Sequence, residues 1–121
     1  MPSEPPASPV EIRFTPEFKR NLRALSKRYR HIRADIQPIL EQLQAGNFIG
    51  DQIPRTGHTL YKARIRNRDA QRGQSGGYRM IYYLQTSRSV VLITLYSKSE
   101  QSDISTTEVR RIIREFEEGK E

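Results

Sequence analysis

The run Val90-Val91-Leu92-Ile93-Thr94-Leu95-Tyr96 places apolar or β-branched side chains on both faces of an extended chain. Alternate residues of a strand share a face, so a segment of this kind is stable only inside a sheet with its faces shielded. It is expected to be a central strand covered on one side by helices. Two further strand patterns, Leu60 to Arg66 and Tyr78 to Leu84, precede it, and Val10 to Phe14 reads as a short first strand.

Between the first strand and the others lie two helical patterns. Thr15-Pro16-Glu17 supplies an N-cap, a first-turn proline and an early acid, and Phe18, Leu22 and Leu25 follow as one apolar stripe. The outer face of that helix carries Lys19, Arg20, Arg23, Lys27 and Arg28. Ile32, Ile36, Ile39, Leu40 and Leu43 mark a second helix, which Pro38 is expected to kink or to delay by a few residues. Residues 47–59 read as a loop. Ser105-Thr106-Thr107-Glu108 matches a capping box, and Val109, Ile112, Ile113 and Phe116 give a final amphipathic helix.

The order β-α-α-β-β-β-α predicts an α+β fold. A mainly antiparallel four-stranded sheet is expected, with two N-terminal helices and a C-terminal helix packed on one face. A chain of 121 residues is long enough for one modest core and too short for two. Residues 10–118 are expected to form that single domain, with residues 1–9 a disordered tail. No apolar run approaches the roughly 20 residues a bilayer crossing needs, and the opening Met1-Pro2-Ser3-Glu4-Pro5-Pro6 lacks the layout of a signal peptide. The expectation is a soluble, cytoplasmic protein. With no cysteine, disulfides, thiolate zinc sites and thiol nucleophiles are excluded.

Charge carries the functional argument. In Tyr61-Lys62-Ala63-Arg64-Ile65-Arg66 the cations alternate, so Lys62, Arg64 and Arg66 project from one face of a strand, beside a neighbouring strand bearing Arg79. Like charges held side by side repel, and a strand avoids the arrangement unless an anion sits opposite or the face is simply solvated. A formal charge of +7 favours a polyanionic partner such as nucleic acid, although an acidic protein or solubility explains the same balance. The polar insert of residues 67–77 carries Arg68 and Arg72 and reads either as a flexible hairpin connection or as an RNA-contacting one.

Few catalytic sets are available. His31 and His58 show no metal spacing and no partner carboxylate at a telling offset, and the serines after Tyr96 sit in no nucleophile motif. Cation-based phosphodiester chemistry is the best-supported kind. Cleavage of RNA by its own 2′-hydroxyl requires a proton acceptor, charge stabilisation at phosphorus and a proton for the leaving oxygen, with no metal or other cofactor. Arginine stabilises the transition state as a fixed charge, and a lysine crowded by cations, as Lys62 is by Arg64 and Arg79, becomes a candidate general base.

Tyr61-Lys62-x-Arg64-Ile65, Gly76-Gly77-Tyr78-Arg79-x-Ile81-Tyr82-Tyr83 and Leu92-Ile93-Thr94-Leu95-Tyr96-Ser97-Lys98-Ser99-Glu100, in this element order, resemble the RelE/ParE superfamily of toxin-antitoxin toxins. Its RelE- and HigB-like mRNA interferases are the nearest in pattern. The resemblance implies a metal-independent endoribonuclease that enters the ribosomal A site, cuts mRNA there and inhibits translation. It also implies a cognate antitoxin protein that binds the toxin, as a hetero-oligomer, and blocks it. By position, Lys62 is the implied base, Arg79 the transition-state stabiliser, Arg64 a phosphate or rRNA contact, and Lys98 a phosphate contact or proton donor. Apart from the resemblance, their charge makes Arg66, Arg68 and Arg72 expected RNA contacts. Where RelE has a base-stacking tyrosine, this chain has Asp103-Ile104-Ser105, so Tyr83 or Tyr96 either takes over the stacking or packs within the sheet. Two alternatives remain: a ParE-like gyrase inhibitor and a non-catalytic RNA-binding domain.

Overall fold

The computed structural model describes residues 9–69 and 76–119. Its elements run β1 (Glu11–Phe14), α1 (Pro16–Ser26), α2 (Ile32–Gln44), β2 (Asp51–Ile53), β3 (Leu60–Ile65), β4 (Tyr78–Thr86), β5 (Ser89–Ser97) and α3 (Thr106–Glu117). The fold is α+β, as the element order predicts. The sheet has five strands in the order β1-β5-β4-β3-β2 rather than the expected four. The extra strand, β2, lies within the segment read as a loop. Three residues are too few to show a period-2 pattern, and their pairing to β3, Asp51 opposite Lys62 and Ile53 opposite Leu60, defines them as a strand.

Every residue of β5 is buried, and the strand sits between β4, antiparallel, and β1, parallel. Thr15 fastens the two N-terminal elements to it. Its amide donates to the Leu92 carbonyl at 3.1 Å and its hydroxyl to the Ile93 carbonyl at 2.6 Å, while the same oxygen accepts from the Phe18 amide at 3.0 Å as the N-cap of α1. One threonine thus ends β1, starts α1 and docks both. The β4–β5 register shifts between Ile81 and Tyr82, where the carbonyl of Ile93 turns to Thr15.

The helices lie on both faces of the sheet, not on one. Phe18 and Leu25 of α1 and Ile32, Ile36 and Leu43 of α2 pack with Ala63, Met80, Tyr82 and Leu92. Val109, Ile112 and Ile113 of α3 pack with Leu60, Ile81, Tyr83 and Ile93 in a second cluster. The physical reason is β5 itself: with apolar side chains on both faces it requires two covers, and the α3 stripe supplies the second. Nor does Pro38 delay α2, which runs from Ile32 to Gln44 with the proline inside. Ile32 and Ile36 before it and Leu43 after it are anchored in the same core, which offsets the lost backbone hydrogen bond.

Gly77 shapes the entry to β4. Its φ is 61°, and a Cβ there would stand 2.5 Å from the Ile65 carbonyl oxygen. Substitution Gly77→Ala is therefore expected to destabilise the fold and disturb the β3–β4 end. In the cluster beneath α3, Ile113→Ala should lower the unfolding free energy by about 2–5 kcal/mol, read as a fall in the urea midpoint.

Candidate functional site

The face of β3 and β4 that α3 covers changes character along its length. Leu60 faces Tyr83, then Lys62 faces Ile81, then Arg64 faces Arg79. The first pair lies under α3, whereas Arg64, at the far end, is exposed. Across β5 the rows continue: Arg79 pairs with Tyr96 and Ile81 with Thr94. Alternation therefore delivers a cationic row, Arg64–Arg79–Tyr96, at the end of the sheet beyond the apolar contact with α3.

Directly opposed residues of an antiparallel pair have Cβ atoms about 4.5–5.5 Å apart, and like charges there are destabilising. Two unit charges on the order of 5 Å apart repel by about 0.8 kcal/mol in water and about 3 kcal/mol at an effective dielectric of 20. Arg64 has no hydrogen-bond or ion-pair partner among the described residues. Arg79 uses one nitrogen, Nη1, which donates to the Gly76 carbonyl at 2.6 Å and the Tyr78 carbonyl at 3.2 Å. Those carbonyls hold the guanidinium in place and leave Nη2 without a partner among the described residues. Two arginines so placed form a receptor for an anion with several oxygens.

The two lysines reach the same row from its sides. Lys62 Nζ donates to Asp103 Oδ1 at 2.9 Å, and Lys98 Nζ donates to the Ser102 carbonyl at 2.9 Å. Lys98 is also placed by its backbone amide, which donates to the Gly77 carbonyl at 2.9 Å. The segment leading into α3 thus touches both lysines. The nearest charge to Lys62 is an anion, so the argument from cation crowding does not describe its surroundings.

Asp103 Oδ1 accepts two further bonds, from the Tyr96 hydroxyl at 3.3 Å and the Ile104 amide at 2.8 Å. The hydrogen bond from Lys62, then that from the Ile104 amide, hold its carboxyl below the usual carboxylate range. Burial, aided by the charge of Asp103, pushes the Tyr96 phenol up to about 12, so its hydroxyl stays a donor.

The remaining expected contacts distribute unevenly. Arg66 is exposed just past β3, with no partner among the described residues. Arg68 is paired: its Nε meets Asp35 Oδ1 at 2.8 Å and its amide donates to Asp35 Oδ2 at 3.1 Å. Asp35 belongs to α2 and its side chain is 3% exposed, so this pair ties the loop after β3 to the α2 layer, while the Arg68 side chain stays 59% exposed. Arg72 lies outside the described residues. Tyr83 is 2% exposed, its hydroxyl donating to Glu117 at 2.7 Å and its ring edge-on to His58 at 5.5 Å. It is a packing residue with no face free to stack on a base, and Tyr96, 5% exposed, is likewise closed.

Two site features, and one polar tie away from the site, escaped the sequence reading. Asp103 stands 41 positions from Lys62, and no local spacing links them. The Tyr96 hydroxyl reads from sequence only as part of a sheet residue. His31 Nδ1 meets Asp69 Oδ1 at 2.7 Å between the start of α2 and the segment after β3, and this contact holds the Asp69 carboxyl low. Among the described residues no group of three or more His, Cys, Asp or Glu is gathered as a metal site, and no helix is long and apolar enough to cross a membrane.

Fold and site together define a small α+β protein with a cluster of cations on one end of its sheet. The family model of the RelE toxin of the RelE/RelB toxin-antitoxin system matches residues 41–117, from the last turn of α2 through α3, and so includes the whole cationic row. The chain belongs to that family. It is a toxin of a toxin-antitoxin pair, and its family implies an antitoxin as partner.

Two outcomes follow for the isolated protein. Arg64→Thr removes the opposed charge and is expected to leave stability unchanged or raised by about 0.2–1 kcal/mol, measured by urea unfolding at low salt. Asp103 titrates lower in the folded state than in the unfolded chain, so its stabilisation is present above about pH 4 and lost as pH falls below that. Its side chain is 63% exposed, so the effect stays under about 1 kcal/mol, and Asp103→Asn should remove that part of the acid dependence.

Proposed function

We propose that this toxin is a ribosome-dependent endoribonuclease. It cuts mRNA in the ribosomal A site by attack of a 2′-hydroxyl on the adjacent phosphate, and so inhibits translation. The observation that carries the reading is the opposition of Arg64 and Arg79, two arginines paired across β3 and β4 with neither in an ion pair among the described residues. A phosphodiester gains a negative charge as it becomes a phosphorane, so a fixed pair of guanidinium groups stabilises the transition state more than the ground state.

In this mechanism Arg79, held by the Gly76 and Tyr78 carbonyls, and Arg64 bind the non-bridging oxygens. Lys62 adds a third cation from the neighbouring row, and Lys98, at the end of β5, contacts the phosphate or protonates the leaving 5′-oxygen. Arg66, exposed beside the row, contacts the RNA backbone. The ribosome supplies what this site lacks: with Tyr83 and Tyr96 buried, no aromatic face in the row itself splays the bases, so mRNA must arrive already positioned. The proposal extends to one toxin domain over residues 10–118, working in the cytoplasm and silenced by an antitoxin through a hetero-oligomeric complex. A cationic surface of this kind is met by an acidic segment that folds on binding.

Primer extension on a defined mRNA, with and without programmed ribosomes, tests the reading. Cuts confined to the A-site codon and dependent on ribosomes are expected. Arg79→Ala should lower the single-turnover rate about 10²–10³-fold while retaining antitoxin binding. Absence of cleavage in every condition would overturn the proposal and turn attention to a gyrase supercoiling assay.

A further inference from the structure

The ribonuclease reading leaves one chemical role without a convincing occupant. The attacking 2′-hydroxyl must lose a proton, and the lysine best placed by sequence donates its own ammonium hydrogen to a carboxylate. That carboxylate sits inside the site. Asp103 lies 2.9 Å from Lys62 Nζ and 3.3 Å from the hydroxyl of Tyr96, the residue directly opposite Arg79 on β5.

We infer that Asp103 is the general base of the reaction, taking the proton of the attacking 2′-hydroxyl while Lys62, Arg64 and Arg79 hold the phosphate. The inference rests on the ribonuclease reading above and on three features of the carboxylate. Its oxygens divide their work: Oδ1 accepts from Lys62, Tyr96 and the Ile104 amide, whereas Oδ2 accepts from no described residue. A base requires such a free lone pair, oriented by bonds to the other oxygen. The side chain is also 63% exposed, within reach of a polymer that no enclosed pocket could admit. Finally, a cavity of about 110 Å³ opens beside Lys62 and Asp103, floored by Leu60, Ile104 and Val109, with room for the sugar that bears the hydroxyl.

The charged and titratable groups around Asp103 come from four strands. Lys62 projects from β3 with Asp51 of β2 as its cross-strand neighbour, Tyr96 projects from β5, and Arg79 of β4 follows in the same row. Tyr96 donates and the cations attract, so the carboxylate is ionised across the neutral range. In the reaction the 2′-oxygen bonds to phosphorus as the bond from phosphorus to the 5′-oxygen breaks. The 2′ proton passes to Asp103 Oδ2, and the leaving 5′-oxygen takes a proton from the Lys98 ammonium. The products are a 2′,3′-cyclic phosphate and a 5′-hydroxyl end, with no water consumed, and solvent resets both side chains.

The pH dependence separates this assignment from a lysine base. A carboxylate already ionised gives a single-turnover rate that is flat between about pH 6 and pH 8, whereas a lysine near its usual value of about 10.4 gives roughly a tenfold rise per pH unit. The experiment measures ribosome-bound mRNA cutting by the full-length toxin and by Asp103→Asn, which keeps the shape and an oxygen for the Ile104 amide. Thermal unfolding and antitoxin binding check that the variant is folded. A flat wild-type profile, with a loss of about 10²–10⁴-fold in Asp103→Asn, partial recovery in Asp103→Glu and a steep pH dependence in the Asn variant, is the expected result. A wild-type rate that climbs with pH, or an Asn variant as fast as wild type or faster, overturns it; a faster variant makes Asp103 a mere counter-ion masking Lys62. Wild type that cuts nothing overturns the ribonuclease reading itself, and that outcome is distinct from the others.

Discussion

Burial of β5 on both faces is the constraint from which the rest of this molecule follows. A nine-residue strand without an exposed position must have a strand on each side and a layer on each face. β4 and β1 take the sides, and α1 with α2 takes one face, fixed at the end of β1 by the double use of Thr15. α3 takes the other. Because α3 joins β5 through a short segment, Lys98 to Ser105, that segment has to cross the end of the sheet, and there its Asp103 meets Lys62 of β3.

The same strand alternation serves two purposes along β3. Leu60, Lys62 and Arg64 share a face, and only the first lies in the core beneath α3. The apolar end anchors the strand, and the charged end extends beyond the helix, so the core fixes the position of the cations. This is why a flexible lysine or arginine on a loop would be a poorer receptor: a guanidinium on a paired strand, further held by two backbone carbonyls as Arg79 is, loses little freedom on meeting a phosphate. The opposed arginines weaken the free protein slightly, a cost common where binding and stability ask for different charges.

Asp103 adds a polar counterpart to this design. A carboxylate among cations would usually be assigned to charge balance, yet its bonds among the described residues all fall on one oxygen and leave the other without a partner there. The orientation comes from three separate elements: β3 through Lys62, β5 through Tyr96, and the backbone just ahead of α3. On the far side of the sheet a second set of polar ties, Arg68 to Asp35 and His31 to Asp69, holds the loop after β3 against α2. Those residues look much like the site residues in sequence and do different work, because they point to the layer where no cationic row exists.

What the sequence determined by itself is what depends on neighbours along the chain. Periodicity defined α1, α3 and the three long strands, capping residues set the helix starts at Thr15 and Ser105, and alternation put Lys62 with Arg64 on one face. The motif around Gly77-Tyr78-Arg79 was enough for the family resemblance, which the match over residues 41–117 supports. Tertiary structure decided whatever depends on partners distant in the chain. It recruited Asp51–Ile53 as a strand through pairing with β3, placed α3 opposite α1 and α2, closed Tyr83 into the core and tied Arg68 to Asp35. It also brought Asp103 to Lys62 across 41 residues. The physical reason is one of range: local propensity and hydrophobic period act over a few residues, whereas the pairing of a charge, or the burial of a ring, is settled only when β5 collects the elements around it.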